Sequence, residues 1–80
     1  MEIGVVSNYF EHVGAAAVKL KKGLKVGDKI QIKGGETDFE QEIAEMQLDR
    51  EDVGKAKAGD EIGIKVAEKV RKGYKVFKIK

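Results

Sequence analysis

The sequence predicts a small all-β domain, a barrel or a sandwich, and three observations carry that prediction. The first is a repeated phrase. Val26-Gly27-Asp28-Lys29-Ile30-Gln31-Ile32-Lys33 returns as Ala58-Gly59-Asp60-Glu61-Ile62-Gly63-Ile64-Lys65, with a looser copy at Lys72-Gly73-Tyr74-Lys75-Val76-Phe77. Each copy sets a glycine turn ahead of apolar residues two apart, the spacing of a turn that feeds a half-buried strand. The second is the same alternation away from the repeat, where Ala16, Val18 and Leu20 interleave with Ala15, Ala17 and Lys19. The third is the absence of proline, which leaves every strand free to pair internally.

Taken in order, residues 2–10 are rich in β-branched and aromatic side chains and open the chain as a strand. Ala16 to Leu20 form a second strand, whose small alanines imply a closely approaching neighbour. Lys21-Lys22-Gly23 turns the chain, and Ile30 with Ile32 carries a third strand that stops at the Gly34-Gly35 turn. Residues 37–53 support two readings. Phe39, Ile43, Met46 and Val53 sit at helical spacing, with Thr37 and Glu40 as a capping box. The same residues also read as two strand segments whose inward phase shifts once, as a β-bulge near Ala44-Glu45 would cause. Asp49-Arg50-Glu51-Asp52-Val53 predicts a short helical turn near residues 49–54, capped by Asp49. Ile62, Ile64 and Val66 make a further strand, and Val76 to Ile79 the last.

Eighty residues make a single domain over 1–80, near the lower limit for a core without staples. There is no cysteine, so disulfides and thiolate metal sites are excluded, and a reducing cytoplasm is the expected compartment. No apolar run approaches the roughly 20 residues of a membrane helix, so no membrane partner is expected. Charged residues make up 38%, a balance compatible with a thermophilic source. The net charge of +2 is unevenly spread. Glu36 to Asp52 is acidic with Arg50 as its lone base, whereas Lys19–Lys33 and Lys65–Lys80 are basic, with only Asp28 and Glu68 opposed to them.

Enzyme chemistry is hard to assemble from this chain, and no enzyme, cofactor or metal is expected. Gly34-Gly35 leads into no Gly-Lys-Ser/Thr, so there is no phosphate loop. Ser7 and His12 are the lone serine and histidine, and an odd separation places them on opposite faces of a regular strand. One histidine cannot make a histidine-rich metal site. Asp49, Glu51 and Asp52 lack the ligand spacing of a calcium loop and read as a solvated acidic turn.

The lysines offer more. Lys19, Lys21, Lys22 and Lys25 flank the first turn, and Lys69, Arg71 and Lys72 flank another. Where such segments converge on a barrel rim they give a positive surface for a phosphate backbone, with Tyr9 or Phe10 as a stacking face for an unpaired base. The plain alternative is that they solubilise strand edges and turns.

Gly23-Leu24-Lys25-Val26-Gly27-Asp28-Lys29-Ile30, then Ile43-Ala44-Glu45-Met46, Ala58-Gly59-Asp60-Glu61-Ile62-Gly63 and Val70-Arg71-Lys72-Gly73 resemble, in that order, the second domain of translation GTPases of the elongation factor Tu type. Tyr9-Phe10-Glu11-His12-Val13 and Thr37-Asp38-Phe39-Glu40-Gln41 resemble more closely stand-alone elongation-factor-like β-barrel proteins and the C-terminal barrel of collagenase-like peptidases. The resemblance implies a small closed six-stranded antiparallel β-barrel and assigns residues 39–48 to strand. It also implies a contact role for Glu45 near a terminal adenosine, because Glu45-Met46 match the family's Glu-Met-Phe-Arg phrase. Gln47 and Leu48 depart from that phrase, which argues against delivery of aminoacyl-tRNA.

The expected function is a non-enzymatic binding module that contacts tRNA-like RNA or the translation and tRNA-modification machinery through Lys21, Lys22, Arg71, Lys72, Lys19, Lys25, Lys69, Glu45 and Tyr9. The alternative is a protein-interaction domain that docks on a separate peptidase-like enzyme, using the acidic run Glu36–Asp52 and an exposed Phe39 or Phe77.

Overall fold

The computed structural model describes residues 2–79, all of them strand, turn or irregular chain. Ten strands follow one another: β1 (Glu2–Phe10), β2 (Ala15–Leu20), β3 (Leu24–Lys25), β4 (Lys29–Gly34), β5 (Thr37–Glu42), β6 (Met46–Leu48), β7 (Glu51–Val53), β8 (Lys55–Ala56), β9 (Glu61–Lys65) and β10 (Lys75–Ile79). Eight of them form one antiparallel sheet in the order β5-β4-β10-β1-β2-β9-β6-β7, and β3 pairs with β8.

The repeated phrase is architecture. Gly27, Gly59 and Gly73 take φ of 97°, 94° and 98°. In each copy the residue after the glycine donates its N–H to the carbonyl three residues back, Lys25, Lys57 or Arg71, at 3.1 Å. That is a type II turn, whose third position requires positive φ. Asp28 and Asp60 close the same turns a second time, each accepting the N–H of Lys25 or Lys57 at 3.1 Å. In the third copy Tyr74 lacks that carboxylate, and its ring lies against Gly34 instead, where an added Cβ would fall 2.1 Å from a ring carbon.

Alternation then fills the core. Ile30 and Ile32, Ile62 and Ile64, Val18 and Leu20, and Val76 are all at most 2% exposed. On β1 the buried Ile3 and Val6 and the half-buried Tyr9 reach inward three apart, which a regular strand forbids. Register shifts between Glu2 and Gly4 and between Val6 and Asn8 supply the extra residues. Burying these side chains against one another is the main favourable term for so short a chain.

Three expectations are corrected. Residues 49–54 do not form a helical turn. Asp49 and Arg50 have φ of 52° and 68°, and β6 and β7 pair around them from Leu48↔Glu51 to Met46↔Val53. Left-handed backbone at both central residues makes a tight hairpin turn, whose twist matches the strands it joins. The phase shift after Ile43 comes from a break at residues 43–45, not from a bulge; Ile43 is held by exchanging backbone bonds with Asp28 and Gly27 at 2.9 and 2.8 Å. Third, the closed six-stranded barrel gives way to an eight-stranded sheet whose end strands, β5 and β7, share no ladder among the described residues. Beyond β9 the chain leaves strand geometry once the Val66 N–H has bonded Gly14 O at 3.0 Å, and among the described residues no ladder joins it to β5. The Gln41 side chain spans the seam, donating to Lys65 O at 2.7 Å and accepting from the Ala67 N–H at 2.8 Å.

Candidate functional site

Antiparallel pairing decides which charged side chains meet, and it separates the predicted contact residues. Lys19, Lys21 and Lys72 border one hollow, floored by the half-buried Val5 with the buried Val6 and Leu20 beneath. Lys21 is bound by Glu2, and Lys75 approaches the other oxygen of that carboxylate at 3.7 Å. The hydrogen bond from Lys21 holds the Glu2 carboxyl below the usual carboxylate range; partial burial opposes this, and the charges of Lys21 and Lys75 reinforce it. Lys22, next in the chain, is exposed.

Tyr9, Lys69 and Arg71 border a second hollow together with Tyr74 and Thr37. Its charge is mixed, because Glu11 and Glu36 line it as well, and Lys69 lies 3.3 Å from Glu11. Lys25 is drawn elsewhere. On β3 it pairs with Lys55, beside Asp28, whose carboxylate is 3.5 Å from Lys78. Glu45 is exposed on the link between β5 and β6 and borders a third hollow with Phe10, Val13, Gly63 and Lys65.

The single basic rim of the sequence reading is thus split. Neighbours in sequence such as Lys21 and Lys25 part at Gly23, where the chain leaves the main sheet for the β3–β8 pair. Ser7 is engaged away from His12: its hydroxyl lies 2.6 Å from a Glu61 carboxylate oxygen, while His12 sits exposed in the β1–β2 turn. Among the described residues no three His, Cys, Asp or Glu side chains gather into a metal-binding group. No helix among them is long and apolar enough to cross a membrane. Phe39, expected at a docking surface, is a core residue at 9% exposure, and Phe77 is half-buried.

Sequence reasoning passed over Val13 and Gly63. Val13 sits with Phe10 at the β1–β2 turn, and the two are 49% and 41% exposed. Gly63 stands where the first copy of the repeat carries Gln31, and that difference between copies was the available signal.

Comparison with known proteins places this architecture. A crystal structure of the C-terminal domain of a U32-type peptidase of Geobacillus thermoleovorans superposes with a TM-score of 0.92, covering 96% of this chain and 98% of that domain at 20% identity. The fold is that of a peptidase C-terminal domain. A second crystal structure of the same domain gives a TM-score of 0.91 at 21% identity, covering 98% of this chain and 91% of that one. By sequence, the whole chain is 38% identical over 81 residues to an uncharacterized protease of Methanocaldococcus jannaschii, of which it covers 20%. It is 35% identical over 78 residues to a collagenase of Porphyromonas gingivalis, covering 95% of this chain and 22% of that protein. The chain therefore spans about a fifth of the length of the curated relatives it matches. No protein-family model matches it. These relatives carry the peptidase half of the resemblance; the translation-factor half rests on the sequence phrases alone.

Proposed function

We propose that this chain is a non-catalytic accessory domain that works with the catalytic portion of a peptidase-type protein. The observation that carries the proposal is the match of the entire chain to one fifth of the M. jannaschii protease, a length appropriate to an appended domain. The geometry agrees, since the lone serine is tied to Glu61 and the lone histidine is on an exposed turn. The test is an exchange: this chain replaces the matching region of the M. jannaschii protease. If the domain is held by the rest of that protein, its unfolding temperature rises above that of the isolated chain, as for any native-state partner. Independent melting at the isolated chain's temperature rejects the proposal.

One observation favours RNA contact as a second reading. Tyr9, Lys69 and Arg71 share a hollow with a second aromatic ring, Tyr74. Under this reading Arg71→Glu abolishes a salt-dependent gel shift of tRNA. No shift by the native chain at low salt eliminates it.

A further inference from the structure

One row of paired positions crosses the outer face of β1, β2, β9 and β6: Asn8, Ala17, Gly63 and Gln47. Gly63 lies inside β9, where glycine weakens a strand, and such a glycine is ordinarily explained by a bulge or bend, positive φ, or an atom too close for a Cβ. The first two fail here, because the ladders to Ala17 and Gln47 run without a shift and Gly63 is not among the residues with positive φ. The third fails as well, because a Cβ on Gly63 would meet nothing within 4 Å. Gly4 and Gly34 differ, since a Cβ there would strike Lys19 O at 2.7 Å or the Tyr74 ring at 2.1 Å. In the first copy of the repeat the equivalent outward position is filled by Gln31, hydrogen-bonded to Asp38 at 2.7 Å. The space over Gly63 is therefore not used by this chain, which leaves close approach from outside.

The large apolar side chains most exposed among the described residues are Phe10, Val13 and Val26, and the first two stand beside this space. With Gly63, Ile64 and Lys65 they border a hollow of about 230 Å³.

We propose that this face, centred on Gly63 and edged by Phe10 and Val13, is the surface by which the domain docks on the catalytic portion of a peptidase-type protein. The inference rests on the accessory reading above and names its interface. Two observations identify the occupant. In the M. jannaschii relative the matching region is 20% of the protein, so four fifths of the same polypeptide lies outside it. The rim also carries both signs of charge, Lys65 and Glu45. An apolar centre within a mixed-charge rim is complementary to a protein surface, whereas a rim in which Glu45 offsets Lys65 offers a polyanion no net positive charge.

Hydroxyl-radical footprinting tests the face, comparing the isolated chain with the M. jannaschii protease carrying this chain in place of its own matching region. In the isolated chain Phe10 labels strongly. In the intact chimera its labelling falls about four- to fivefold, to the level of the core residue Phe39, following their exposures of 41% and 9%. Gly63→Val fills the bare space; it leaves the unfolding temperature of the isolated chain unchanged or higher, and it restores Phe10 labelling in the chimera. Should Phe10 label equally in both proteins while Tyr9 or Phe77 becomes shielded, this face is overturned and the accessory reading survives. If no aromatic becomes shielded, both fall. Shielding that persists in Gly63→Val removes the role given to Gly63, and shielding of Phe10 by tRNA in the isolated chain overturns the proposal in favour of RNA.

Discussion

Gly34 and Gly63 both sit in strands with a side-chain position left empty, yet the two regions around them are built on opposite terms. At Gly34, the end of β4, the vacancy is filled from within by the Tyr74 ring, which the third Gly turn delivers to the β4–β5 hairpin. At Gly63, in the middle of β9, the vacancy is open and bordered by exposed apolar side chains. Within a regular strand, the glycine whose vacancy its own chain fills reports on folding; under the docking proposal, the one left open reports on a partner.

Substitutions sharpen that contrast. The largest effect is expected at the filled site. Gly34→Val forces the Tyr74 ring off its seat and costs about 1–3 kcal/mol by overpacking, measured by urea denaturation. If the contact is the cause, the loss shrinks in a Tyr74→Ala background; equal losses in both backgrounds break the interpretation. Next comes the seam beside that hairpin. Gln41→Ala removes the two bonds to Lys65 and Ala67 and is expected to cost about 1 kcal/mol, with faster amide exchange at Ala67.

The open site behaves in the reverse sense. Gly63→Val is expected to leave stability unchanged or raise it by up to about 1 kcal/mol, because a β-branched residue replaces glycine in a strand. A clear destabilisation there refutes the claim that nothing inside the chain needs Gly63. The smallest effect lies at the margin of neither region. Glu2 has its folded pKa lowered by Lys21 and Lys75, so the pair stabilises the fold above the ordinary carboxylate range, and that contribution is lost as pH falls through the lowered value. Glu2→Gln therefore narrows the drop in unfolding temperature between neutral pH and about pH 3, where acids are protonated. An unchanged drop shows the ion pair to be inert, as many exposed pairs are.

Legibility followed the range of the forces involved. The turns at Gly27, Gly59 and Gly73 could be read because positive φ is a property of one residue. The Asp49-Arg50 hairpin could not, because Arg50 is no turn former and its left-handed backbone is imposed by the pairing of β6 with β7. Helical and strand readings of residues 37–53 stayed balanced for the same reason: Glu, Gln and Met favour helix locally, and the ladder to β4 outweighs them. The lysines were visible as residues, but their grouping was not. Arg71 and Lys72, adjacent in sequence, border different hollows, and Lys72 meets Lys19 from a segment distant in sequence.

By itself the sequence determined the all-β class, the three turn-launched strands and the alternation that makes their inner faces apolar, because these depend on backbone freedom and period. Only the tertiary structure decided how many strands join the sheet, that Gln41 bridges a seam instead of a closing ladder, and that Phe10, Val13 and Gly63 share one exposed face. Those outcomes are set by register between distant strands, where a shift of one residue exchanges the inner and outer faces.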